Sequence, residues 1–256
     1  MEGIKKPYRR TARPFMNGNY PWGPGTYIRH PRFAQEPEMY VRAFRLLQKD
    51  LEHLFEYIEP GDDNLKCYSF RVNELLLRAC VEVEANCKAI LRENCYPEER
   101  WWTMADYRKI NGSHHLSAFE VKLPYWHGEQ RIWRPFGPWA SDEKLEWHGA
   151  YNATKHDRRE GFKKATLEHA IDAVCGVLVL LSAQFATEDF SLTDTLVGDK
   201  PAEGFEYAIG NYFVVRYPDD WPLAERYDFG LDWCLPEDPF QNFPYTVGPL
   251  SPAPSA

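Results

Sequence analysis

Apolar positions recur at helical spacing through most of the first 190 residues. Val41, Phe44, Leu47, Leu51, Leu54, Phe55 and Ile58 form one stripe and predict a helix from about Pro37 to Ile58, ended by Pro60-Gly61. Asp62, Asp63 or Asn64 is placed to cap a second helix reaching about Cys95, with Leu75, Leu76, Ala79, Cys80, Val83, Cys87, Ile90 and Leu91 on its stripe. The short connection makes these two helices antiparallel neighbours. Met104 to Ile110 reads as a short helix. Phe119 to Leu123 alternates, and Arg131 to Arg134 answers it across His127-Gly128-Glu129, which predicts a β-hairpin. Ser141 followed by Asp142 and Glu143 predicts a helix start, running to about Arg159 with Gly161 as its stop. A last helix is expected from about Phe162 to Phe185. It is apolar over much of its circumference, so it belongs at the centre of the bundle or on a subunit interface. Beyond it, Tyr207-Ala208-Ile209 and Tyr212 to Tyr217 read as strands around a Gly210-Asn211 turn.

The fold class expected is therefore mainly α: an antiparallel four-helix bundle with an inserted β-hairpin and an irregular, partly β C-terminal extension. The expected divisions are an irregular basic arm over 1–36, the bundle over 37–188 with the insertion at about 113–137, and an acidic, aromatic extension over 189–256.

Composition adds limits. A chain of 256 residues with 44% hydrophobic and 15% aromatic content is globular. The net charge of −8 argues against a general nucleic-acid coat protein, but it is uneven: residues 1–35 carry seven Lys/Arg against one Glu, and residues 188–256 carry three against thirteen Asp/Glu. The six cysteines form no C-x-x-C pair, so a zinc ribbon is not expected. The N-terminus has no apolar leader core, and the longest apolar run, Ala173 to Leu181, is about half of a membrane span. A cytoplasmic protein with free thiols and no membrane partner is the expectation. The chain holds nine Trp and fifteen Tyr, and Trp101-Trp102, Trp126, Trp133, Trp139 and Trp221 lie in the inserted and terminal segments. They suit half-buried anchors or a dimer interface, and a nucleic-acid stacking platform is the other reading.

The candidate chemistry lies in Tyr151-Asn152-Ala153-Thr154-Lys155-His156-Asp157-Arg158. Asn152 and His156 are four apart and share a helix face, with His148 four further back. Residues 155–164 hold five Lys/Arg against two Asp/Glu, enough to hold a phosphate. His148 and His156 are about 12 Å apart along a helix, too far for one ion, and no metal site is expected. The chain has no G-x-S-x-G, P-loop or dinucleotide fingerprint. The plain alternative is a helix end in which Asn152 bonds across the bundle and His156 meets backbone carbonyls near Gly161.

A helical bundle with this polar motif on its penultimate long helix, followed by an apolar helix, resembles the HEPN superfamily over roughly residues 37–188. Active members carry Arg, a polar residue, three variable residues and His. Asn152 takes the polar position and His156 the histidine; the arginine position is Tyr151. The resemblance implies metal-independent RNA cleavage, without cofactor, at the interface of a homodimer, in a bacterial defence or toxin setting. His156 would be the general acid/base, Asn152 its orienter or a phosphate donor, and Tyr151 an auxiliary donor. Lys155, Arg158 and Arg159 would bind phosphate. An antitoxin or sensor protein is the further partner implied. A non-catalytic module that dimerises through the last helix, or that binds a nucleotide or a protein, is the alternative.

Overall fold

The computed structural model describes residues 8–15, 25–29, 33–97, 101–130, 132–156, 158–190 and 204–227. The chain is mainly helical, with a small antiparallel sheet of four strands. The helices are α1 (Pro37–Phe55), α2 (Phe70–Glu93), α3 (Met104–Arg108), α4 (Asn111–His114), α5 (Glu146–His156), α6 (Arg158–Gly161) and α7 (Leu167–Phe185). The strands are β1 (Glu120–Lys122), β2 (Ile132–Trp133), β3 (Glu206–Tyr207) and β4 (Val214–Arg216).

The core is organised around α7, which packs most extensively on α2 and also meets α1 and α5. Its Ile171, Val174, Val177, Leu178, Leu180 and Leu181 are fully buried. Two residues of side chain per turn would suffice for an ordinary amphipathic helix; α7 is lined by neighbours on every side, which is why its sequence is apolar all round. By length and composition this helix could cross a membrane, yet 83% of its most apolar window is buried inside the protein. Of the two places foreseen for it, the centre of the fold is the one occupied: the apolar residues of α7 are buried within the chain.

Three helix starts differ from expectation, each because a stronger local partner intervenes. The cap of α2 is Ser69, whose Oγ accepts from Val72 N at 3.2 Å, while Asp62–Asn64 forms a 3-10 turn. Asp62 is taken by the hairpin loop: its carboxylate accepts from Trp126 Nε1 and Glu129 N, each at 2.7 Å. Gly128, at φ 131, is what lets the loop close there, since a Cβ would lie 2.3 Å from that carboxylate. Ser141 ends a 3-10 turn over Gly137–Ser141 rather than starting a helix, and Asp142 is left-handed at φ 59. Pro138 opens that turn and buried Trp139 anchors it, so α5 begins only at Glu146. The last helix begins at Leu167, capped by Thr166, after a 3-10 turn over Phe162–Lys164. Leu167 N donates to Cys67 O at 2.8 Å, tying this start to the segment before α2.

The expected hairpin is present as β1 and β2, paired antiparallel with Val121 opposite Trp133. It also pairs with the C-terminal strands. The sheet order is β2-β1-β4-β3, so the strands expected in the C-terminal extension complete it. Glu120, opposite Arg216, is bonded by both Arg134 and Arg216 and locks the register. The β3–β4 turn is placed as expected, with Gly210 at φ 87 and Asn211 at φ 60.

Residues 8–15 of the arm pack into the same core. Ala12 N donates to Ala183 O of α7 at 2.8 Å, and Phe15 bridges Tyr227. Arg10 is fully buried: its guanidinium donates to Glu93 at 2.6 Å, to Gln184 at 2.9 Å and to Gln35 O at 2.5 Å. Gln184 in turn donates to buried Asn86 at 2.9 Å. The cysteines expected to act as small apolar residues do so, with Cys80, Cys87 and Cys175 at 0% exposure. Arm residues 1–7, 16–24 and 30–32, and the chain beyond residue 227 with Cys234, lie outside the described residues.

Candidate functional site

Helix α5 holds Tyr151, Asn152, Lys155 and His156, with Arg158 and Arg159 following in α6, and it is fixed from both ends. Trp147 is buried and its Nε1 donates to Pro135 O at 2.9 Å. At the other end Thr154 Oγ1 donates to Ala150 O at 2.9 Å and reaches Gly161 O at 3.3 Å. Gly161 lies so close to the turn above that a Cβ would be 2.4 Å from Ala153 O. Only glycine permits that approach.

Between these anchors, positions 148, 151, 152 and 155 share one face of α5 and bond pairwise. Asn152 Nδ2 donates to His148 Nδ1 at 3.2 Å. An amide NH₂ only donates, so the imidazole accepts at Nδ1 and carries its proton on Nε2. Burial lowers the His148 pKa, Lys155 pushes the same way and Glu84 opposes them, so the ring is neutral at pH 7. Lys155 Nζ donates to Tyr151 Oη at 3.3 Å. That bond raises the Lys155 pKa and secures its charge. Burial raises the Tyr151 pKa against the pull of Lys155, so the phenol stays protonated.

The predicted residues thus divide. Asn152, Lys155 and Arg159 are exposed, as are Lys163 and Lys164. Tyr151 is 4% exposed, so its ring belongs to the core; it borders the site through its hydroxyl, which accepts from Lys155, and through the ring, 5.4 Å from the His148 ring centre and 5.3 Å from Lys155 Nζ. His156 lies at the last position of α5 and Arg158 at the first of α6; their side chains are outside the described residues, as is Asp157.

Two further groups belong to this face. The Glu84 carboxylate of α2 acts on His148, Tyr151 and Lys155, and on Tyr107 of α3. Tyr107 is buried, and burial raises its pKa. Glu84 reads in sequence as part of the solvated face of its helix, and only the packing of α5 against α2 reveals the neighbourhood. The one legible signal is His148, four residues before Asn152.

Among the described residues, no group of three or more His, Cys, Asp or Glu is placed to hold a metal ion. The site offers one neutral imidazole, one amide and exposed cations, a set suited to binding an oxyanion and moving a proton. Comparison of the chain with family models, with curated proteins and with solved structures finds no match.

Proposed function

We propose that the chain acts on RNA as a HEPN-like four-helix bundle, formed by α1, α2, α5 and α7, and that it is a metal-independent endoribonuclease of defence or toxin type. The observation that carries this reading is the paired polar face of α5, where His148–Asn152 and Lys155–Tyr151 lie together beside exposed Arg159. Lys155, Arg158 and Arg159 hold the scissile phosphate, and Asn152 keeps His148 as an Nε2–H donor toward its oxygens. His156 takes the proton of the ribose 2′-hydroxyl. The 2′-oxygen attacks phosphorus, the bond to the 5′-oxygen breaks, and that oxygen takes a proton from the protonated His156, giving a 2′,3′-cyclic phosphate and a 5′-hydroxyl and restoring the neutral imidazole. A homodimer shares the site across a surface other than the buried α7.

One observation favours a second reading, a non-catalytic module that binds RNA, a nucleotide or a protein partner. The position at which the motif carries arginine is Tyr151, and its ring is buried, so no guanidinium is offered there. Mixed RNA incubated with the purified protein in excess EDTA, beside His156→Ala, separates the two. Cleavage by wild type and its loss in the variant support the nuclease. Equal amounts of intact RNA with both exclude it, and retention of RNA on a filter then marks a binding module.

A further inference from the structure

The chemistry of the α5 face continues along the C-terminal half of α2. Glu84, Lys88 and Arg92 follow one another at intervals of four on that helix, a rise of about 12 Å from first to last. Glu84 acts on the α5 site, and its carboxylate is 3.6 Å from Lys88 Nζ. Arg92 is exposed, with its guanidinium 5.9 Å from the centre of the Trp102 ring. Trp102 meets Tyr96 edge to face at 6.1 Å. Lys109 donates to the Tyr96 hydroxyl at 2.5 Å and sits 5.1 Å from its ring centre. Helix α2 joins the two places, since it packs against both α5 and α3, and Lys109, just past the end of α3, reaches Tyr96. Beside this cluster, the Trp101 side chain is 89% exposed.

Cations interleaved with aromatic rings suit one kind of polymer. Ammonium and guanidinium groups follow phosphates, and indole faces take unpaired bases of any sequence. A duplex cannot use them, because its bases are already stacked in pairs. The geometry points to a track for single-stranded RNA, running from Lys155 across Lys88 and Arg92 to Trp101 and Trp102. It rests on the reading of α5 as a phosphodiester site, and supplies the substrate class: a strand that is unpaired on at least one side of the scissile bond.

The test is a fluorescence-anisotropy titration of a labelled 12-nucleotide single-stranded RNA with the full chain in EDTA, beside the same sequence as a duplex. The single strand binds more tightly. Trp101→Ala, at an exposed position, weakens it about tenfold. Lys88→Gln with Arg92→Gln lowers the slope of log affinity against log salt by about 1.4. Arg71→Gln, an exposed cation at the far end of α2, changes neither. Equal affinity for single strand and duplex, or for RNA and a base-free polyanion such as heparin, overturns the track, as does an unchanged affinity in Trp101→Ala. Cleavage that persists with unaltered track variants removes the track alone; a wild type that binds no RNA at low salt removes the α5 reading as well.

Discussion

Two histidines, His114 and His148, sit on helices of the same protein in opposite settings. His114 is 2% exposed and bonded on both ring nitrogens: Nδ1 to Ser113 Oγ at 2.8 Å, Nε2 to Arg10 O at 2.7 Å and to Thr11 Oγ1 at 3.1 Å. Its Nε2 partners, Arg10 and Thr11, come from the N-terminal arm, so the ring works as a rivet between the arm and α4. His148 is half-buried, bonded by Asn152 at one nitrogen, and faces exposed cations. A ring with every donor and acceptor used has nothing left for a substrate. A ring with one side fixed and one side toward solvent is oriented and still available.

Substitution should separate them most sharply. His114→Ala removes a buried ring and strands the Arg10 carbonyl and two hydroxyls; a loss of about 3 kcal/mol is expected. His148→Ala should cost about 0.5 kcal/mol, while lowering RNA cleavage by about tenfold. Urea unfolding and a cleavage assay on both variants give the four numbers. Comparable stability losses in the two variants would break the contrast.

Acid extends the comparison. In the folded chain burial drives the His114 pKa down to about 3, while in the unfolded chain it titrates near 6.5. Between those values the unfolded chain binds the extra proton. The stability from His114 is thus whole above pH 6.5 and lost as pH falls, by roughly 1.4 kcal/mol per pH unit. His148 acts in the same direction, from its own lowered pKa. Urea midpoints between pH 7 and pH 5 should fall in wild type and fall less steeply in His114→Gln. Parallel slopes would mean that the ring is protonated without unfolding.

Asp172 of α7 supplies the opposite sign. Burial, with Glu168 and Glu146 adding to it, raises its pKa from 3.8 to about 7. The folded chain then keeps a proton that the unfolded chain has released. The stability it contributes is whole below pH 3.8 and is lost as pH rises through 7. Asp172→Asn should therefore raise stability at pH 8, on the order of 1 kcal/mol, and leave it unchanged at pH 4. Thermal melts at the two pH values check this. A variant less stable than wild type at pH 8 would show that the charged carboxylate has a partner.

The contrast between the histidines also shows what the sequence made legible. Apolar stripes found α1 and α2, an all-round apolar run found α7, start and stop signals found α5, and alternation found the β1–β2 pair. Helix starts were misplaced where a capping residue had a better use: Asp62 serves the hairpin loop, and Asp142 sits in a left-handed turn. The arm carried no period, since Arg10 and Thr11 act through single contacts to Glu93, Gln184 and His114 far along the chain. At the site, spacing placed His148, Asn152 and His156 on one face, because a helix fixes that by itself; His148 and Asn152 do bond, and the His156 side chain lies outside the described residues. Spacing left Glu84 and Tyr107 unassigned, because their approach depends on how α2 and α3 pack. It also could not distinguish a Tyr151 that faces substrate from one that faces the core.

That last distinction leads to the smallest expected effect. Tyr151 meets the site through the hydroxyl that accepts from Lys155 and through its ring, which lies against His148 and Lys155. Tyr151→Phe keeps the buried ring and removes one partly exposed bond, a loss of about 0.5 kcal/mol. If Tyr151 only steadies Lys155, RNA affinity should fall no more than about threefold, with cleavage of bound RNA unchanged. Tyr151→Arg is the informative partner to that variant. A guanidinium forced into a position 4% exposed either loses its solvation, which destabilises the fold, or turns outward past Lys155 and adds a phosphate ligand. Anisotropy and thermal melting of both variants show which occurs. Faster cleavage by Tyr151→Arg, with its stability kept, would mean that α5 accommodates the arginine and that the native tyrosine holds activity down. Lower stability without a gain in affinity would mean that the position belongs to the core, as His114 does, and that Lys155 and Arg159 carry the phosphate alone.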